Sequence, residues 1–162
     1  MPLEEWRDAR AIKELSKGPF SVTCKWERPK GVLAAFLPWK KRVTVVVIDN
    51  WEPASGQTQI PSESLLPLQR LSSLDVLSFS DYGSDYPMPP IPKLPHLKEL
   101  ELICNLDFET TKSLGQNLPN LQSIYVAPGT CPEDSSGMFA SILSLPHLKN
   151  FDCWELRLSV SD

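Results

Sequence analysis

The chain has 162 residues and a formal charge of −4, with 41% apolar, 22% charged and 9% aromatic residues. That is the balance of one ordinary globular domain, large enough to bury a core without disulfides or metal, and not that of a disordered chain. Sixteen prolines against seven glycines exclude a collagen-like chain and disfavour long helices, because an interior proline loses a hydrogen bond and clashes with the preceding turn.

The charge is uneven along the chain. Residues 1–42 carry ten Lys/Arg and five Asp/Glu, a net of +5, whereas residues 43–162 carry six and fifteen, a net of −9. An acidic body argues against nucleic acid as a partner.

The opening residues 4–17 read as a helix, with Trp6, Ala9, Ile12 and Leu15 stepping by three. That step drifts around a 3.6-residue helix and gives a broad apolar face. Glu4, Glu5, Arg7 and Asp8 interrupt any signal-like apolar core, so a cytoplasmic chain is expected. The next segment, FSVTCKW, alternates Val22 and Cys24 as a short strand. The basic stretch from Lys25 to Arg42 is broken by apolar residues and is too short for a nucleic-acid-binding tail.

In VTVVVID, Val45 and Val47 are taken as the inward pair, 23 residues after Val22 and Cys24. The apolar runs at 32–38 and 43–48 are far shorter than the roughly 20 residues that span a bilayer, so no membrane association is expected. Residues 51–64 read as a polar, loop-like return.

From residue 71 an internal repeat is plain. Leu71-Ser-Ser-Leu74-Asp-Val-Leu77-Ser-Phe79 aligns with Leu94-Pro-His-Leu97-Lys-Glu-Leu100-Glu-Leu102. Leu118-Pro-Asn-Leu121-Gln-Ser-Ile124-Tyr-Val126 and Leu145-Pro-His-Leu148-Lys-Asn-Phe151-Asp-Cys153 complete the set. The strand positions Leu77, Leu100, Ile124 and Phe151 advance in steps of 23, 24 and 27.

Apolar residues at i and i+2 make a strand with one buried face, and stacked units make a parallel sheet over a continuous core. Each unit then needs an outer return. Prolines at 87, 89, 90 and 92 make the second return extended. Asp107 can cap a helical third return, and Ser136–Leu143 a helical fourth. Pro95, Pro119 and Pro146 recur just before three of the strands.

The pattern resembles leucine-rich repeats, whose unit reads LxxLxLxxNxL; the match covers 71–158 closely and 19–50 loosely. Asn105 after Leu102, and Asn50 after Val47, stand at the asparagine position. The resemblance implies an α/β solenoid: a short curved parallel sheet with helical and extended returns on its convex side. It implies one domain over 1–162, with 1–18 as N-terminal helix or cap, 19–70 as degenerate repeats and 71–162 as four clear ones. Repeat lengths of 23–32 with helical returns are most like the cytosolic NOD-like receptor and ribonuclease-inhibitor-type arrays.

On that template the residues between the leucine positions line a concave face. The expected protein-binding residues are Val46, Ile48, Val76, Glu99, Glu101, Ile103, Tyr125, Asp152 and Trp154. Aromatic side chains among acids suit a protein interface. The function implied is a non-catalytic recognition module, resembling the ligand-sensing repeat segment of an innate immune receptor, with a protein partner. Alternatives are an F-box-type substrate-receptor array, for which the first 18 residues are too short to hold an F-box, and a small enzyme.

No catalytic residue, cofactor or metal site is expected. His96 and His147 occupy identical Leu-Pro-His-Leu-Lys settings, which marks a repeat element. No GxxxxGK[ST], GxGxxG, HExxH or GxSxG occurs. The Glu99/Glu101 pair reads as solvated acids on one strand face. Cys24, Cys104, Cys131 and Cys153 form no CxxC pair and are expected as free thiols. Leu156, Leu158 and Val160 alternate up to the last residues, which suggests an uncapped edge available for self-association.

Overall fold

A computed structural model describes residues 3–28, 41–50, 60–81, 86–127 and 136–153. The expected binding residue Trp154, Cys131 and the alternating 156–160 edge lie outside these residues. The elements run helix α1 (Leu3–Leu15), strands β1 (Ser21–Glu27) and β2 (Arg42–Asn50), a 3-10 helix (Ser62–Arg70), then β3 (Val76–Asp81) and β4 (Glu99–Ile103). Helix α2 (Phe108–Asn117), β5 (Ser123–Val126), helix α3 (Ser136–Leu143) and β6 (Asn150–Cys153) follow.

The fold is α/β, with one open six-stranded sheet in the sequential order β1-β2-β3-β4-β5-β6. The sheet is mixed and mostly parallel. From β2 to β6 every neighbouring pair is parallel, but β1 runs antiparallel to β2. This corrects the all-parallel expectation at its first strand. Two antiparallel neighbours need no crossover, so β1 enters the sheet in the opposite direction to the five strands that follow.

The repeat appears in the pairing register. Leu77 faces Leu100, Leu100 faces Ile124 and Ile124 faces Phe151. The next inward row is Phe79, Leu102, Val126 and Cys153. Before each of β3 to β6 the chain makes the same four-residue turn. Leu74, Leu97, Leu121 and Leu148 donate their amides to Leu71, Leu94, Leu118 and Leu145, at 3.2, 3.2, 3.2 and 3.3 Å. Pro95, Pro119 and Pro146 fill the second turn position, where their fixed φ is already right.

The turns also stack. The amides of Lys98 and Glu99 donate to the carbonyl of Asp75, those of Gln122 and Ser123 to Lys98, and those of Lys149 and Asn150 to Gln122. Asn120 Nδ2 reaches the Pro95 carbonyl of the preceding turn at 2.7 Å. His96 and His147 occupy the third turn position and are exposed.

The returns cover one face of the sheet. Leu65, Leu68 and Leu71 are buried at a spacing of three, which matches the three residues per turn of a 3-10 helix and places them on one side. The proline-rich return is non-helical, and its Met88, Ile91 and Pro92 are buried. Met88 donates its amide to the Asn105 carbonyl at 2.8 Å. Asp107 caps α2 as its position implies, its Oδ1 accepting the Thr110 amide at 2.7 Å, a contact worth roughly 0.5–2 kcal/mol. Helix α3 docks through Phe139, whose ring meets that of Phe151 edge-on at 5.8 Å.

Helix α1 closes the other end of the core, burying Ala11 and Leu15. It is oriented by a buried charge. Asp8 has no exposed surface, and its carboxylate accepts from Arg42 Nε at 3.0 Å and from the Val43 amide at 3.1 Å. Arg42 also donates to Glu4 Oε2 at 2.9 Å and to the Ser72 hydroxyl. A carboxylate can be held out of water when each of its oxygens meets a donor. Cys24, Cys104 and Cys153 are unpaired. Among the described residues no helix is long and apolar enough to cross a membrane.

Candidate functional site

The face of the sheet opposite the helices is the candidate site, and strand alternation decides what stands on it. Along one row the register places Thr23, Val47, Ser78, Glu101, Tyr125 and Asp152 side by side. Val45, Val76, Glu99, Ser123 and Asn150 form the row on one side, with Lys25 at its end. Ser21, Asp49, Ser80 and Ile103 form the row on the other.

Of the expected residues, Val76, Glu99, Glu101, Ile103, Tyr125 and Asp152 share this outer face and are half-buried or exposed. Val46 and Ile48 do not. Both are fully buried, facing Leu77 and Phe79 across the β2–β3 pair, and belong to the core. The correction is a one-residue phase shift, which exchanges every side chain of a strand between faces.

The apolar run in VTVVVID cannot fix that phase by itself. The structure fixes it by pairing, with a bulge: Lys25 faces Val45 while Trp26 faces Val43, so Thr44 is the extra residue. One signal was present in the sequence. Asp49 shares parity with Val45 and Val47, so an inward Val47 would have carried a carboxylate toward the core. The outer residues of β2 are therefore Val45, Val47 and Asp49, which the pattern alone missed. Because β1 is antiparallel, Lys25 joins the row of Val45 and Glu99, and Ser21 the row of Asp49 and Ile103. Asn50 pairs with Asp81 and is not equivalent to Asn105; its Nδ2 donates to Asp81 Oδ1 at 2.8 Å.

The site's chemistry is acidic and amphipathic. Ser78 Oγ donates to Glu101 Oε2 at 2.7 Å, so a nearly buried hydroxyl anchors a half-buried carboxylate. Tyr125 stands between Glu101 and Asp152 on adjacent strands, and the two acids are therefore about 10 Å apart at the backbone. Such spacing suits separate cations of a partner better than one shared proton. Val45, Val47, Val76 and Ile103 add half-buried apolar surface beside the acids.

No group of three or more His, Cys, Asp or Glu side chains among the described residues could hold a metal ion. At the ends of β3 and β4, burial first and the charge of Asp81 second push the Cys104 thiol well above the usual thiol range, so it stays protonated and unreactive. Comparison with known proteins finds no matching family model, no similar curated protein and no similar solved structure.

Proposed function

We propose that this chain is a non-catalytic protein-recognition module, a leucine-rich repeat solenoid that binds a protein partner on the outer face of its sheet. The observation that carries the reading is the row from Ser78 through Glu101 and Tyr125 to Asp152, set by register across four parallel strands. A rigid sheet holds these side chains at fixed spacing, so a partner's contacts meet preorganised groups. An aromatic side chain flanked by acids favours a partner segment carrying Lys or Arg.

The repeating turn, the sequential strand order and the mixture of helical and extended returns support the solenoid reading. The closest functional analogy is the sensing repeat segment of a NOD-like receptor, in the cytoplasm. The test is affinity capture with the wild-type chain, Tyr125→Ala plus Asp152→Ala, and Lys112→Ala on the exposed side of α2. A partner retained by wild type and Lys112→Ala but lost by the face variant, with unchanged melting temperatures, supports the reading. Retention by the face variant overturns it.

A further inference from the structure

A second surface lies on the helical side, where α1 meets the end of the 3-10 helix. Trp6, Arg7 and Arg10 of α1 and Gln69, Arg70 and Ser72 line an open groove of about 500 Å³. It continues along α1 into a hollow of about 430 Å³ that adds Lys13, Glu14 and Lys17. Five cations thus line the two hollows against one acid.

Glu14 is already used. It accepts from Arg10 at 3.1 Å and from Arg70, and hydrogen bonding to Arg10 keeps its carboxyl below the ordinary range. These contacts hold two guanidinium groups in place without cancelling the surplus. The Arg10 guanidinium also lies 5.5 Å from the Trp6 ring centroid, and that indole is 49% exposed. Arg7, Lys13 and Lys17 are exposed and have no ion-pair partner among the described residues.

We infer that this groove binds a short acidic peptide segment of a partner protein, its carboxylates on Arg7, Arg10 and Arg70 and an apolar side chain on Trp6. Charge complementarity carries the assignment. A basic groove stands on a chain whose residues 43–162 net −9, so a short anion is attracted while a long polyanion meets repulsion from the acidic body beyond the groove. Planar guanidinium groups pair with carboxylates through two parallel hydrogen bonds. A helix of 13 residues is about 20 Å long, room for about six residues of extended peptide. A bilayer fits less well, because Leu3 and Trp6 are the only exposed large apolar side chains that α1 offers.

The test is fluorescence anisotropy of a labelled oligoglutamate peptide with the full 162-residue chain. Wild type is expected to bind, with affinity falling as salt rises through about 0.15 M, where the screening length is ~8 Å. Arg7→Glu, at a residue with no ion-pair partner among the described residues, is expected to weaken binding about tenfold or more, and Trp6→Ala to weaken it less. Lys112→Glu, which makes the same change in net charge on α2, and Tyr125→Ala on the sheet face should leave it unchanged.

No binding by wild type at low salt would overturn the inference, as would equal loss in Arg7→Glu and Lys112→Glu. Stronger retention on phosphatidylserine vesicles, or tighter binding of single-stranded oligonucleotide, would also overturn it, as would peptide binding abolished by self-association in size exclusion. The Tyr125→Ala control separates this result from the fate of the sheet-face proposal.

Discussion

Replacing Asp8 by Ala is the most informative single change in this fold. The carboxylate has no exposed surface, while Arg42 is 12% exposed and Glu4 41%. Removing it leaves the Arg42 guanidinium with only the exposed Glu4 carboxylate opposite it, and strips the Val43 amide of its acceptor at 3.1 Å. Breaking a buried ion pair from one side costs about 3–5 kcal/mol, because the remaining charge stays desolvated. Against a typical total of ~5–15 kcal/mol, that is about a fifth or more of the stability. For a chain of this size each kcal/mol moves the melting temperature by about 2–4 °C, so a drop of roughly 6–20 °C is expected.

Glu4→Ala, which breaks only the exposed arm of the same network, should cost no more than about 1 kcal/mol. The assay is urea unfolding followed by circular dichroism, with Asp8→Ala, Arg42→Ala and the double variant closing a cycle. The singles should each lose several kcal/mol, and the double should lose clearly less than their sum, since the two changes remove one interaction. Additive losses, or an Asp8→Ala protein within about 1 kcal/mol of wild type, would refute the claim that this pair anchors α1.

Two further outcomes follow from buried groups. Thr44, the bulge residue of β2, has a buried hydroxyl with no hydrogen-bond partner, so Thr44→Val should raise the urea midpoint by the equivalent of about 1 kcal/mol; a lower midpoint would contradict it. Cys104 has a folded-state thiol pKa raised above its unfolded value. Its contribution is therefore fully present below about pH 8.5 and is lost as pH rises beyond that, since the unfolded state releases the proton first. Wild type should lose more stability than Cys104→Ala between pH 8 and pH 10, and equal losses would contradict the assignment.

The outer face of the sheet shows where a linear pattern stops being sufficient. On β3 to β6 the outward residues Val76, Glu99, Glu101, Tyr125 and Asp152 were legible, because inward leucines alternate with polar residues and leave one phase. On β2 four successive apolar residues admit both phases, and the pattern puts outward Val46 and Ile48, which face Leu77 and Phe79 in the core. Antiparallel β1 was invisible for a related reason. Alternation reports which face a residue takes and says nothing of strand direction.

Neither was the Arg42–Asp8 pair legible. In sequence Asp8 is one charge among many on a short helix, and only the approach of a residue 34 positions away makes it a core residue. The basic groove has the same origin. The positive surplus of residues 1–42 could be counted along the chain, but Arg70 joins Arg7 and Arg10 only because α1 packs against the 3-10 helix.

The sequence by itself determined the repeat: the spacing of leucines, the proline in three of the four turns and the parallel stacking from β3 onward. These are local and periodic, so each unit states the same requirement again. Tertiary structure alone decided the direction of the first strand, the phase of the second and the meeting of charges between α1 and the sheet. Those depend on pairings that occur once, and a contact made once leaves no period in a sequence to read.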